Sequence, residues 1–329
     1  MLKTEMLYSL RDISIIPSVL TKIRSRKECN PYERKIEEND SFYPIIASPM
    51  DSVLDETNWI HYWNNKINCI IPRTVSIEQR LNLCDKVFCA FSLKETKEYF
   101  LNGNIDKENL NVLIDIANGS MFEEMSTGFE LKQKYGAKLR LMGGNIGNPE
   151  TYLYYNIAGF DYLRVGVGSG NGCLTSTNTA IHYPYASLIS KIATIKNSND
   201  GQCKIIADGG MSGYSDIIKS LALGADYVMC GRIFAQAAKT DEEIGQELVY
   251  RGMSTKEAQK AMGNKVLKTA EGRCVNIVKQ YTLSGWVDNF DSYLRSAMSY
   301  CDARTLREFK EKAICQVISP NSSSQINDK

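Results

Sequence analysis

Short apolar runs recur along the chain at nearly regular intervals. Their length and continuous apolar character are typical of parallel strands that are buried on both faces. Between them, segments such as 215–223 (SDIIKSLAL) space their apolar residues as an amphipathic helix does. The runs cover residues 43–48, 68–72, 87–93, 111–116, 138–142, 161–167, 204–207 and 226–230. Eight strand–helix units in succession predict a (β/α)8 TIM barrel, because a doubly wound sheet rarely needs so many.

Three segments fall outside this repeat. Residues 1–42 precede the first strand, and we expect them to cover the bottom of the barrel or to pack on its side. Residues 241–280 are long and charged for a connection between two elements, which predicts a lid, or flap, over a functional site. We interpret 1–318 as one catalytic domain and 319–329 (SPNSSSQINDK) as a disordered tail.

Composition narrows the function classes. Hydrophobic residues make up 43% of the 329 residues, so the core needs no disulfide or metal to fold. A net charge of +1 predicts no attraction to nucleic acid or to a membrane surface, and no apolar run has the length to cross a bilayer. The ten cysteines show neither C-x-x-C nor zinc spacing, and we find no signal peptide, which together predict reduced thiols in a cytoplasmic protein.

Polar and glycine-rich residues follow several of the predicted strands. In a TIM barrel the carboxyl ends of all strands meet at one face, where active sites are built. We therefore expect these residues to converge. They are Asp51 after strand 1, Asp115, Asn118 and Gly119 after strand 4, Gly143-Gly144-Asn145 after strand 5, the loop 166–175 after strand 6, Asp208-Gly209-Gly210 after strand 7, and Gly231-Arg232 after strand 8.

The loop 166–175 (GVGSGNGCLT) contains the first candidate nucleophile, Cys173. Its glycines let the backbone aim amide groups at an anion or carbonyl groups at a cation. A cysteine attacks as the thiolate, so a neighbouring group must take its proton, and the two histidines, His61 and His182, are poor candidates. The local pattern fits a flexible loop with a packed cysteine equally well. The position after strand 6 favours the nucleophile.

The pairs Gly209-Gly210 and Gly231-Arg232 follow strands 7 and 8, where TIM barrels commonly bind phosphate through backbone N–H groups. Either pair alone is compatible with a tight turn, but their coincidence favours a phosphate site. Arg232 could add a charged hydrogen bond or point to solvent. Glu271 lies in a polar segment, and nothing local distinguishes it from a solvated side chain.

These stretches together resemble the IMP dehydrogenase/GMP reductase family. The resemblance extends over nearly the whole chain, and the order and spacing of the stretches are more specific than any one of them. The similar stretches are 25–26, 45–53 (IIASPMDSV), 114–119 (IDIANG), 143–146 (GGNI), 166–175, 207–210 (ADGG), 216–231, 251–254 (RGMS), 270–272 (AEG) and 294–303.

The resemblance implies site residues at matching positions. The catalytic residues would be Cys173 as nucleophile, with Thr175 and Glu271 working together. The purine nucleotide would contact Asp208, Gly209, Gly210, Gly231, Arg232, Gly252, Met253, Ser254, Lys268 and Gly272. The cofactor, NADPH or NADH, would contact Arg73, Asp115, Asn118, Gly119, Met253, Arg295 and Ser296. A monovalent cation, usually potassium, would bind backbone carbonyls of Gly168, Gly170 and Cys173, and the family implies a homotetramer.

Within the family, the segment 253–272 resembles the shorter reductase version, because it lacks the Arg-Tyr pair with which the dehydrogenases activate water. The stretch 179–184 (TAIHYP) and Arg295-Ser296 also resemble the reductases, and the absence of CBS modules agrees. The resemblance therefore implies reductive deamination of GMP to IMP and ammonia through an adduct on Cys173. Three other interpretations stay open: oxidation of IMP to XMP with NAD, a nucleotide-binding barrel that has lost catalysis, and a flavin-dependent barrel oxidoreductase.

Overall fold

The fold is seen in a computed structural model that describes residues 3–34, 41–170, 173–263, 266–267 and 269–327. The strands are β1 (Ile13–Ile16), β2 (Glu33–Arg34), β3 (Ser41–Phe42), β4 (Ile45–Ala47), β5 (Asn68–Ile71), β6 (Phe88–Phe91), β7 (Leu110–Ile114), β8 (Leu139–Ile146), β9 (Tyr162–Val165), β10 (Lys204–Asp208), β11 (Tyr227–Cys230), β12 (Ala237–Ala238), β13 (Glu247–Arg251), β14 (Cys274–Val278), β15 (Tyr281–Thr282) and β16 (Ile314–Val317). The helices are α1 (Trp59–Asn64), α2 (Ile77–Leu83), α3 (Leu93–Glu95), α4 (Phe122–Tyr135), α5 (Thr151–Ile157), α6 (Thr175–Thr179), α7 (Tyr185–Ser198), α8 (Tyr214–Ala222), α9 (Arg232–Ala235), α10 (Lys256–Ala261), α11 (Leu283–Tyr300), α12 (Leu306–Lys312) and α13 (Pro320–Asn327). A π-helical turn spans Thr96–Leu101, and 3-10 turns span Leu10–Asp12, Arg26–Glu28, Gly136–Lys138 and Asp241–Glu243.

Strands β4 to β11 form a closed parallel barrel in chain order, and β11 pairs with β4 to close it. The predicted (β/α)8 TIM barrel is therefore confirmed. Each predicted apolar run overlaps one of these strands. Strand β7 begins and β10 ends one residue outside its run, and β8 continues past its predicted end at residue 142 to Ile146. It does so because its last residues stay paired with β9 across an irregularity between Gly144 and Ile146.

The core has two layers, as strands buried on both faces require. Side chains inside the barrel form a cluster of their own: Ile46, Ile70, Phe88, Ala90, Leu113, Met142, Tyr162, Ile206, Tyr227 and Met229. The second layer fills the space between the barrel and its outer helices. In α8, for example, Ile217 and Leu221 lie one turn apart and are fully buried, as the helical spacing of that segment predicts.

Two segments from opposite ends of the described chain pack together on the outside of the barrel. Strand β1 pairs antiparallel with β16, so Ile13 lies opposite Val317. The 3-10 turn before β1 lies on α8, where the Lys219 ammonium donates to the Leu10 carbonyl at 3.1 Å. The described part of 1–42 therefore packs on the side of the barrel. None of the described helices has both the length and the apolar character that a bilayer crossing needs.

Helix α13 lies within the segment 319–329, for which the sequence analysis predicted disorder. The structure differs from that prediction because the pairing of β16 with β1 carries the following residues to the 3-10 turn at Leu10–Asp12. There the Ser323 hydroxyl donates to the Arg11 carbonyl at 2.7 Å. Tertiary contact thus supplies a hydrogen bond that the polar composition of the segment does not reveal.

The predicted flap has a folded base. Strands β13 and β14 form an antiparallel hairpin in which Arg251 lies opposite Cys274. The Arg251 guanidinium is ion-paired with Asp51, which follows β4, and its Nε donates to the carboxylate at 2.9 Å. This ion pair fastens the hairpin to the barrel beside the segment 252–254.

Gly128 provides a test of packing between α4 and the barrel. A Cβ atom at this position would lie 2.2 Å from the ring of Phe160, which is 3% exposed. Although alanine is the better helix former by about 1 kcal/mol, we expect Gly128→Ala to lower the free energy of unfolding by about 1–3 kcal/mol, because the buried ring has to move. Urea denaturation measures the difference.

Gly213→Ala is the matched control, since no heavy atom lies within 4 Å of its Cβ position. Because Gly213 is the N-cap of α8 and alanine is a poorer N-cap, its free energy of unfolding should fall by no more than about 1 kcal/mol. A Gly128→Ala variant as stable as this control would contradict the packing described for α4.

Candidate active site

A cavity of about 880 Å³ opens at the carboxyl ends of the barrel strands. Its walls come from the ends of most barrel strands and from the segment that follows β13. Many residues proposed from the sequence line it, although they are scattered over some 200 positions of the chain. They are Arg73, Asp115, Gly170, Cys173, Asp208, Gly209, Gly210, Gly231, Arg232, Gly252, Met253, Ser254 and Glu271.

Three side chains at this cavity form a continuous hydrogen-bonded relay. The Cys173 thiol donates to the Thr175 hydroxyl with the sulfur 3.3 Å from Oγ1. The Thr175 hydroxyl in turn donates to Oε2 of Glu271 at 2.6 Å. A proton can therefore pass between the sulfur and the carboxylate through a single hydroxyl group, which is the partner that a cysteine nucleophile requires.

Backbone contacts hold the two halves of this relay together. The Leu174 amide donates to the Glu271 carbonyl at 2.7 Å, and Cys173 forms an isolated antiparallel bridge with Gly272. On the other side of the loop, the Ser176 hydroxyl donates to the Gly168 carbonyl at 2.9 Å. Gly168 has a φ of +74°, and a Cβ there would lie 2.7 Å from the Cβ of Ser176, so only glycine fits. The loop after β9 is thus docked onto the flap.

Glycines form the wall contributed by β10 and β11. Gly209 and Gly210 both have positive φ values, and Gly210 passes so close to Ser169 that a Cβ would lie 2.8 Å from its carbonyl oxygen. Gly231 is the N-cap of α9 and lies beside Met50. Backbone amide groups without side chains in front of them can approach the oxygens of an anion closely, and Arg232 adds a cation to the same wall.

A network of four charged residues lies in the mouth of the barrel. The guanidinium of Arg164 bridges two carboxylates: NH1 is 2.7 Å from Asp115, and Nε is 2.9 Å from Asp208. Arg73 binds the second oxygen of Asp115 at 3.0 Å. The amide of Asn145 donates to Asp208 at 2.8 Å and to the Gly166 carbonyl at 3.0 Å. Two cations thus neutralise two anions in a largely buried position.

The electrostatics of this network follow from burial and pairing. Burial raises the pKa of Asp115, but the guanidinium groups of Arg73 and Arg164 outweigh it, so the pKa lies below its ordinary value. Burial likewise disfavours the charged form of Arg164, and the carboxylates of Asp208 and Asp115 more than compensate, so its pKa lies above its ordinary value. Asp115 and Arg164 are therefore both charged at neutral pH.

Several proposed residues lie elsewhere. Gly119 is packed beneath the end of β8, where its amide donates to the Asn145 carbonyl at 2.8 Å, and the Asn118 side chain accepts from the Ser120 amide. Arg295 is ion-paired with Asp291 at 2.7 Å and donates to the Cys29 carbonyl, so neither it nor Ser296 lines the cavity of this chain. Gly168 and Gly272 contact residues in or next to the relay: the Gly168 carbonyl accepts from Ser176, and Gly272 forms the bridge with Cys173. Lys268 lies outside the described residues.

The cavity also contains residues that the sequence analysis missed. Arg164 is the most informative, because an arginine inside an otherwise apolar strand (DYLRVGV) is a signal that a buried anion lies nearby. Gln259 is 7% exposed and donates to the Ser254 carbonyl at 3.1 Å. Tyr250 precedes the flap segment, and its hydroxyl lies 3.6 Å from the sulfur of Met50. Neither of these two carries a comparable signal in the sequence.

The charge network predicts that Arg164 is structurally indispensable. We expect Arg164→Met to lower the free energy of unfolding by about 3–5 kcal/mol, because Asp115 and Asp208 would lose a shared partner in a buried position. Chemical denaturation at neutral pH measures the loss. Arg307→Met is the control: the Arg307–Glu311 pair is on the surface, with the arginine side chain 88% exposed, and should contribute about 0–1 kcal/mol. Equal losses in the two variants would refute the prediction.

Comparison with known proteins places these features in a family. The IMP dehydrogenase / GMP reductase domain matches residues 11–327. GMP reductase from Clostridium acetobutylicum is 28% identical over 319 residues, which cover 92% of this chain and 93% of that protein. GMP reductase from Buchnera aphidicola subsp. Schizaphis graminum is 31% identical over 216 residues, 64% of this chain and 61% of that protein. Inosine-5'-monophosphate dehydrogenase from Chlorobaculum tepidum is 32% identical over 221 residues, 61% of this chain and only 43% of that protein. Because the domain match extends over nearly the whole chain, this protein belongs to the IMP dehydrogenase/GMP reductase family, whose members are oxidoreductases acting on purine nucleotides.

Proposed function

We propose that this protein is a GMP reductase, which converts GMP to IMP and ammonia with reducing equivalents from NADPH. The observation that carries the proposal is the relay from the Cys173 sulfur through Thr175 to Glu271, with distances of 3.3 and 2.6 Å, at the wall of the barrel-mouth cavity. Relatives named GMP reductase with matching length, such as the Clostridium protein, support the same assignment.

The cavity has the features that a purine nucleotide needs. Its glycine wall at Gly209, Gly210 and Gly231 would receive the phosphate, with Arg232 supplying a charge-assisted bond. The segment 252–254 would contact the purine. The relay would then lie at C2 of the ring, which bears the amino group that distinguishes guanine from hypoxanthine.

The first half of the reaction would replace the amino group on C2 by the sulfur of Cys173, which gives a covalent thioimidate. Glu271 takes the thiol proton through Thr175, and the sulfur of Cys173 forms a bond to C2. The bond from C2 to the amino group breaks, and the same relay returns the proton to the departing amine, so that ammonia leaves. This is nucleophilic catalysis with general acid–base assistance, and it divides one difficult displacement into two easier ones.

In the second half, C2 gains a hydride and the C2–sulfur bond breaks, which gives IMP and restores the thiolate of Cys173. The nicotinamide cofactor supplies this hydride when it is bound. A cavity of about 880 Å³ is near the upper end of the range for ligand sites, so it has room for a nucleotide and a nicotinamide ring together. Arg73 and Asp115 form a second charged wall that would hold the cofactor and align it with C2.

Two further features belong to this proposal. Among the described residues, the Gly168 carbonyl accepts one hydrogen bond, from Ser176, and the Gly170 carbonyl accepts one, from the Cys173 amide, so a second lone pair of each could bind a potassium ion. Such an ion would stiffen the loop that carries the nucleophile. The active form would be a homotetramer, in line with its family. Light scattering coupled to size-exclusion chromatography measures the assembly.

The covalent route predicts that Cys173→Ala abolishes turnover and leaves GMP binding nearly intact, because the thiol is the nucleophile and is not part of the phosphate wall. The assay follows absorbance of the reduced cofactor with GMP and NADPH or NADH, in potassium and in lithium buffer. The parallel reaction contains IMP and NAD. Calorimetry measures the binding of GMP to the variant.

Cys274→Ala is the control, since Cys274 is exposed on the flap hairpin and outside the cavity. It should turn over GMP at the parent rate. Appreciable turnover by Cys173→Ala would rule out the covalent route. Oxidation of IMP with NAD by the parent protein would identify an IMP dehydrogenase, GMP binding without turnover a catalytically inactive barrel, and a flavin absorbance a flavin-dependent oxidoreductase.

The relay predicts a selective effect of Glu271→Gln. An amide can still accept the Thr175 hydrogen bond, but it cannot take up and return a proton, so kcat should fall by about 10²–10⁴-fold while KM for GMP changes little. Glu257→Gln, an exposed change in the same flap region, should behave as the parent protein does. A kcat for Glu271→Gln close to that of the control would remove Glu271 from the catalytic set.

A further inference from the structure

A fully buried carboxyl group lies beneath the active-site ends of two barrel strands. Glu124, in the first turn of α4, is 0% exposed. Its Oε1 accepts from the Gly144 amide at 3.0 Å, and its Oε2 lies 2.5 Å from the Tyr155 hydroxyl. That hydroxyl also lies 2.8 Å from the carbonyl oxygen of Gly119. Four groups from four segments of the barrel therefore meet at one buried point.

The number of hydrogens available around the Tyr155 hydroxyl determines whether Glu124 is protonated or ionised. The hydroxyl has one hydrogen, and the Gly119 carbonyl can only accept. If Glu124 were ionised, both neighbours of the hydroxyl would be acceptors, so one of the two short contacts would contain no proton. If Glu124 carries a proton on Oε2, it donates to Tyr155 and Tyr155 donates to Gly119. Only this second arrangement provides every polar atom of the cluster with a partner, as burial demands.

The charged neighbours of Glu124 do not favour its ionised form. The guanidinium of Arg164 attracts a negative charge here, but its nitrogens are bonded to Asp115 and Asp208, and the Asp115 carboxylate repels such a charge. Lys97, on the neighbouring π-helical turn, is paired with Glu123 at the surface. Among the described residues, no cation lies within ion-pair distance of Glu124. An unpaired buried carboxylate would be costly.

We propose that Glu124 carries a proton at neutral pH and acts as a positioning residue, a neutral acid that fastens the segment after β7 to the end of β8. The link to the cavity is short. Gly119 donates to the Asn145 carbonyl at 2.8 Å, and the Asn145 amide holds Asp208 at 2.8 Å and the Gly166 carbonyl at 3.0 Å. The role in turnover rests on the proposed function, whereas the protonation itself does not.

Loss of the proton from Glu124 would break this series of hydrogen bonds at its buried end. The Tyr155 hydrogen would turn to the new carboxylate, and the Gly119 carbonyl would lose its bond. Asn145 would then be held less firmly against Asp208. Burial raises the pKa of Glu124 from its ordinary 4.5 to about 8, with smaller opposing effects from Tyr155, the Gly144 amide and Arg164. The change therefore falls in the mildly alkaline range.

Glu124→Gln is the decisive variant, because its amide N–H can donate to Tyr155 and its carbonyl can accept from Gly144, as the protonated acid does. Glu123→Gln is the matched control on the same helix, since the Glu123 side chain is 54% exposed. Infrared spectroscopy of the full chain at neutral pH should show the carbonyl stretch of a protonated carboxylic acid in the parent protein and in Glu123→Gln. The band should be absent from Glu124→Gln. A parent spectrum without this band would overturn the proposed protonation, whatever the enzyme's activity.

Stability provides a second measurement that does not depend on turnover. Between pH 4.5 and about 8 the folded chain holds a proton at Glu124 that the unfolded chain releases. The denaturation midpoint of the parent protein should therefore fall relative to that of Glu124→Gln as pH rises through this window, and the difference should level off above it. A constant difference between the two midpoints across the window would also overturn the protonation.

The positioning role is tested by the pH profile of kcat/KM with GMP and NADPH. The parent protein and Glu123→Gln should lose activity above about pH 8, by up to about tenfold per pH unit, and Glu124→Gln should keep the neutral-pH activity and lose this alkaline limb. An unchanged limb in Glu124→Gln would overturn the positioning role. If the parent protein and both variants fail to reduce GMP, the proposed function fails. The infrared and stability results still decide whether Glu124 is protonated.

Discussion

Pairing of β11 with β4 closes the barrel, and the arrangement of the site depends on that closure. In a closed parallel barrel every strand ends at the same rim, so residues that are far apart in the chain line one cavity. Asp115 follows β7 and Asp208 ends β10, and both meet the guanidinium of Arg164 on β9 at this rim. The strands are short and buried on both faces, so side chains at the rim have little freedom to rearrange.

Within that rim, the network of charged residues and the hydrogen-bonded relay lie at different parts of the cavity wall. The guanidinium of Arg164 lies between two carboxylates, and with the guanidinium of Arg73 the charges of this network sum to zero. The relay of Cys173, Thr175 and Glu271 lies instead where the loop after β9 meets the flap. Cys173 on one connection and Glu271 on another are kept in register by the backbone contacts between them. Docking of the flap thus completes the hydrogen-bonded relay.

Beneath the rim, the cluster of Glu124, Tyr155, Gly119 and Gly144 shows how a polar core supports the site. None of these four residues lines the cavity, but Gly119 donates a hydrogen bond to Asn145, which does. A neutral acid in this position holds two strand ends without placing a charge beneath a site whose charges are otherwise balanced. The same geometry makes the hydrogen bonds of this cluster sensitive to pH, since they need the proton on Glu124.

The sequence by itself determined the barrel and most of the cavity wall. Eight apolar runs can be buried only as strands covered on both faces, and the glycines and acidic residues after them then have to share a rim. The flap position and the candidate nucleophile Cys173 also followed from local pattern. Where local pattern left Glu271 indistinguishable from a solvated side chain, similarity to a family had to supply its role.

What only the tertiary structure decided is which of these residues touch. Glu271 meets Thr175 across 96 positions of chain, Arg164 turns from its strand toward two anions, and Arg295 pairs with Asp291 away from the cavity. The helix at Pro320–Asn327 likewise depends on β16 lying against β1. Periodicity in a sequence records which face of an element is buried, because burial acts on each residue separately. Hydrogen bonds and ion pairs depend on two residues at once, and their partners are known only when the chain is folded.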